Sequence, residues 1–132
     1  IYHLHYKFNN MEPLKISIQI IIALSIYNVW IIRPKKSTIW RGGNAKNMSE
    51  EFETYGLPNW FMKFVGFSKI LLATLLIVEI FVDNLYLDKI GAYGIAVLMI
   101  GAILMHVKIK DELKKSLPAF TFLVLSLLIT FL

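Results

Sequence analysis

Cysteine is absent from the 132 residues. Thiol–disulfide relay, a cysteine nucleophile, iron–sulfur ligation and thiolate zinc sites therefore lie outside this chain's chemistry. Histidine is nearly as scarce, at 3. His3 and His5 precede the first apolar run and only His106 lies within one, so the chain alone cannot supply paired axial ligands to a haem at membrane depth. Charge is thin as well: 17% of residues are Asp, Glu, Lys or Arg, against about 25% in soluble domains. With 7 glycines and little polar composition, collagen and disorder are also excluded.

What fills the space is apolar. Hydrophobic residues make up 57% of the chain, and the mean hydropathy is +0.61. They cluster at about 14–32, 60–82, 90–107 and 117–132, together more than half the sequence. A hydrocarbon core about 30 Å thick needs about 20 helical residues, with about 17–25 tolerated. Three runs meet that length, and the fourth gains from Ser116, tilt or local thinning. The expected fold is all-α: an integral membrane four-helix bundle, one domain over 11–132, with a short amphipathic helix in the first loop. Residues 1–10 are a leader of open status, because the first methionine is Met11 and the upstream residues fit either an over-long start or a processed N-terminus. No A-x-A-type cleavage site follows an apolar core, so the first run is expected to stay as an anchor.

Pro13 suits the first turn of a helix, where a missing N–H costs nothing, and Pro34 discourages helical geometry at Arg33. Between the first two runs, Asn47–Tyr55 reads as the amphipathic helix. Asn47 or Ser49 caps it, Met48, Phe52 and Tyr55 share a face, Gly56 ends it and Pro58 prevents continuation. Asp83–Lys89 reads as a turn. Gly91, Gly94 and Gly101 mark a packing face on the third run.

Nine Lys and Arg lie in segments 33–59 and 108–116, against Lys7, Lys15 and Lys89 at the other end. Positive-inside bias then puts those two loops in the cytoplasm and both termini outside, in the inner (plasma) membrane. The same flanking placement argues against nucleic acid as a partner for a net charge of +5. The lipid bilayer is one expected partner, and other membrane subunits or self-association are the others.

Few polar residues remain to carry chemistry. Lys69 lies about 13 Å into its span, on a face with Gly66 and Ala73. Lysine at depth costs at least about 2.5–3.5 kcal/mol, which leaves two readings: a polar interior site, or a stem that snorkels to the headgroups. His106 shares a face with Ala92, Ile95, Met99 and Ala102. It reads either as a proton relay or donor to a quinone-like carbonyl, or as an interfacial histidine bonded to a carbonyl or a loop carboxylate. Asn28 lies toward the same end, so Asn28, Lys69 and His106 can converge with the loop residues Arg41, Glu50, Glu51 and Glu53. Glu79, followed by Asp83, reads either as a cation or proton entry point or as an acid reaching water. No catalytic residue, metal ligand set or phosphate loop emerges; Gly42–Gly43 lacks the required spacing and strand.

The order of RPKKSTIWRGGNAKNMSEEFETYGLPNWF, VGFSKILLATLLI, AVLMIGAILMH and KDELKKSLPAF along the chain resembles the DoxX-like family of small four-helix membrane proteins. The resemblance runs over about 14–132. It implies a membrane subunit linked to quinone-coupled or thiol-related oxidoreductase systems, with Lys69, His106 and the Arg41–Glu53 region as the positions to watch. The lack of cysteine departs from any thiol-using relative. The expected function is an accessory, non-catalytic subunit of a larger membrane complex. The alternatives are a quinone-interacting subunit anchored by Lys69 and His106, and a small proton- or solute-linked carrier. No cofactor is expected on the chain itself, with quinone the exception in the second reading.

Overall fold

The computed structural model describes residues 12–82 and 84–132; the leader 1–10 with Met11, and Asp83 beside Glu79, lie outside the described residues. Helix α1 (Glu12–Tyr27) opens with Glu12 and Pro13 in its first turn and runs into a wider π turn at Asn28–Ile32. The loop helix α2 (Met48–Thr54) is capped by Asn47, whose side chain accepts from the Glu50 amide. Its end is a Schellman closure: Gly56 takes φ 79°, and the Gly56 and Leu57 amides donate to Glu53 and Phe52 carbonyls. Helices α3 (Asn59–Val82) and α4 (Leu85–Lys108) form a hairpin, and α5 (Leu117–Phe131) follows a 3-10 turn at Leu113–Ser116, with Pro118 in its first turn.

One boundary differs from expectation. The third span begins at Leu85 rather than Ile90, which shortens the turn expected at Asp83–Lys89. Asn84 caps it by accepting from the Tyr86 amide, and Asp88 lies in the first turn, at the positive end of the helix dipole.

Among the described residues, four helical segments are long and apolar enough to cross a membrane. They close into a ring in which α1 packs on α3 and α5, and α4 packs on α3 and α5, while α2 lies against α3. The interior is built from small and medium side chains. Ala23, Ala73 and Ala92 are fully buried with Ile22, Leu76 and Ile95. Large ones face out: Phe64, Phe67, Phe81, Val97, Leu104 and Phe131 are all exposed. That inversion of a soluble core suits helices that associate by close packing rather than by fleeing water.

Two of the expected glycines pack as read. A Cβ on Gly91 would lie 2.8 Å from a Leu76 methyl and 3.2 Å from the Leu72 carbonyl oxygen, and one on Gly94 would meet Leu72 at 2.7 Å. Gly101 differs, since nothing lies within 4 Å of its added Cβ. Gly91→Leu should therefore lower the unfolding midpoint in detergent by about 5 °C or more, through overpacking against backbone. Gly101→Ala should leave it unchanged or raise it slightly. Equal losses in a thermal melt of the two variants would contradict this packing.

Candidate functional site

At the loop end of the bundle the four helices do not close completely. A cavity of about 670 Å³ lies between them beneath α2, and Asn28, Lys69, His106, Arg41 and Glu51 all line it. The π turn forms one wall, because Arg33 donates to the Asn28 carbonyl at 2.8 Å and so displaces Asn28, Val29 and Trp30 from a regular helical path. Trp30 presses against Gly66, where even a Cβ would lie 2.5 Å from the ring. Its other partners are aromatic. Trp30, Phe52, Tyr55 and His106 make successive edge-to-face contacts at 5.9, 5.9 and 5.8 Å, a row of rings spanning from the π turn through α2 to α4.

Lys69 enters from α3 and is half-buried. Its ammonium sits 5.3 Å from the centre of the Trp30 ring, a cation–π contact. No oxygen among the described residues accepts a hydrogen bond from it. Lys69 thus lines the cavity with its ammonium against the Trp30 ring.

The loop above is held by two carboxylates. Glu51 accepts from Arg41 at 3.2 Å, from the Gly42 amide at 2.7 Å and from the Tyr55 hydroxyl at 2.7 Å. Arg41 is buried and also donates to the Lys36 and Arg33 carbonyls at 2.9 and 3.1 Å. Burial, and then the Glu51 charge, push the Tyr55 hydroxyl far above its ordinary range, so it serves as a neutral donor. Asp111 is the second clasp. It lies 2.7 Å from His106 Nδ1 and accepts from the Gly43 amide at 3.0 Å. Lys115 donates to the Gly43 carbonyl and Lys108 to the Tyr55 carbonyl at 2.8 Å, so the two basic loops meet at one end of the bundle. The Gly42–Gly43 amides are thus filled by the protein's own carboxylates. With Asp111 on Nδ1, the His106 ring is fixed and Nε2 remains, bonded by no described residue.

Of the expected loop contacts, Arg41 and Glu51 enter the site and two do not. Glu50 is exposed and completes the α2 capping arrangement with Asn47 and the Lys46 amide. Glu53 is exposed too. Glu79 differs from the reading of an acid that reaches water: it is 1% exposed, and it does not line the cavity. Ten residues along α3 put it about 15 Å from Lys69. There Lys15 Nζ lies 3.5 Å from Glu79 and 2.5 Å from Asp88, all three buried. The Gln19 amide donates to the Leu76 carbonyl at 2.9 Å beside them.

Sequence reasoning missed Tyr55 and Asp111 at one end and the Lys15–Asp88 pair at the other. A signal existed for the pair: Lys15 and Asp88 stand near the ends of apolar runs on the same side as Glu79, so charge balance links them. Asp111 depends on Lys110, which takes φ 58° and turns the chain back so that the Asp111 amide reaches the His106 carbonyl. Lysine gives no hint of that conformation.

An all-helical ring with lipid-facing aromatics and a polar cavity at one end defines a multi-pass membrane protein. Its family follows from sequence: the model of the DoxX-like family matches residues 38–129, and the chain belongs to that family. Comparison with curated proteins and with solved structures finds no match.

Two outcomes test this geometry. Asp111→Ala removes the acceptor for both His106 and Gly43, and should speed tryptic cleavage at Arg41 and Lys46 several-fold at unchanged bundle stability. Unaltered cleavage rates would contradict the clasp. Lys15→Met removes the cation facing two buried carboxylates and should cost about 3–5 kcal/mol in a detergent unfolding titration. A loss below about 1 kcal/mol would mean the trio is solvated.

Proposed function

We propose that this DoxX-like protein binds a lipid-soluble carbonyl compound of the quinone class in the cavity under α2, as a subunit of a larger membrane complex. The observation that carries this reading is Lys69: a cation inside a bundle, with donors aimed at a cavity and no acceptor oxygen among the described residues. About 670 Å³ is within the range of small-molecule sites, which is about 300–1,000 Å³. The lining also has the mixture such sites use: apolar and aromatic walls from Phe52, Met99 and Phe122 with a few polar groups.

In this reading Lys69 donates to one ring carbonyl, and His106 Nε2, its ring held by Asp111, bonds to the other side. Reduction places negative charge on the carbonyl oxygens, which preorganised donors stabilise where water is excluded. A partner subunit supplies the electrons. A carrier function has less support, because Glu79 pairs with Lys15 at the far end instead of extending a path from Lys69. The orientation proposed with it is the loop end toward the cytoplasm, in the inner membrane, supported by the nine basic residues gathered there.

Titration with decylubiquinone, followed by tryptophan quenching in detergent, tests the site. A hydrogen bond to a charged group contributes about 1.5–3 kcal/mol, so Lys69→Met should weaken binding about tenfold or more at an unchanged unfolding midpoint. Equal affinity of wild type and variant would overturn the proposal.

A further inference from the structure

Trp30 has a second face. On it lies another cavity, of about 660 Å³, between the start of α2 and the first half of α3. Lys35 and Lys63 stand on its rim with Ser49 and Asn47, and both lysines are exposed. They come from separate elements, the loop after the π turn and the first turns of α3. Neither makes an ion pair or donates a side-chain hydrogen bond among the described residues, and no carboxylate lines the groove. Beyond the rim the lining is Trp30, Met62, Gly66, Phe67 and Ile70. Ile70 lies seven residues past Lys63, about 10 Å deeper into the span. Gly66 keeps the floor open, since its own position has no room for a side chain beside Trp30.

The groove is therefore cationic at the membrane surface and apolar below it. We propose that it binds one anionic phospholipid, with the phosphate between Lys35 and Lys63 and an acyl chain along Gly66, Phe67 and Ile70. Two lysines without an ion pair among the described residues, on a groove that no carboxylate lines, match a phosphate, and the depth of apolar lining selects a lipid over a free ion. Lysines that merely snorkel need no such groove. The proposal is independent of the quinone reading, as the two cavities share Trp30 and Met48 but no cation.

Native mass spectrometry of the intact protein, with dioleoylphosphatidylglycerol and dioleoylphosphatidylcholine added in competition, tests it. Each lysine near a surface contributes about 1 kcal/mol toward an anionic lipid, so phosphatidylglycerol should be preferred about tenfold or more. The double variant Lys35→Gln/Lys63→Gln should reduce that preference to less than about threefold. An equally charged control, Lys46→Gln/Lys114→Gln, alters exposed residues outside the groove and should retain it. No preference in the wild type, or equal losses in both double variants, would overturn the site. So would glycerol 3-phosphate displacing the lipid at millimolar concentration, because the acyl groove would then contribute nothing.

Discussion

A charged side chain inside a membrane bundle needs a partner, and Lys15 and Lys69 meet that requirement in opposite ways. At one end Lys15 faces Glu79 and Asp88 within 3.5 Å, closing α1 against α3 and α4. At the other, Lys69 faces the Trp30 ring and an open cavity. The first ammonium finds its carboxylate partners within the protein. The second has no acceptor oxygen among the described residues, and the loop residues Arg41, Glu51 and Tyr55 line the same space.

That organisation is built from backbone irregularities rather than from regular helix. The π turn at Asn28–Ile32 brings Trp30 over Gly66. The left-handed Gly43 and Lys110 turn two loops so that Asp111 reaches both the Gly43 amide and His106. Glu51 gathers Arg41, Gly42 and Tyr55. A regular bundle with tight loops would have filled the same volume with packing. Here the inner ends of the helices hold a row of rings, a fixed histidine and an ammonium apart.

The spans, the loop helix and its Asn47 and Gly56 caps were legible because length, apolar runs and capping chemistry are local properties. The placement of Lys69 with His106 and Asn28 was legible as well, from the Gly66 and Ala73 spacing and from which end of each run they occupy. Glu79 was not, because its buried partner Lys15 is 64 residues away in sequence and looks like an ordinary flanking charge. Glu50 and Glu53 could not be told from Glu51, since three acids in two turns differ only in which way the short helix faces. Asp111 was hidden by a left-handed lysine.

The claim that matters most is that the Lys69 cavity is a binding site for a lipid-soluble ligand. Photolabelling with a short-chain azidoquinone in vesicles, followed by peptide mapping, tests it most directly. Labels concentrated on Trp30, Phe52, Met99 and Phe122, and competed away by unlabelled quinone, are the predicted result. Uncompeted labels spread over the lipid-facing Phe64, Phe81 and Leu104 would contradict it.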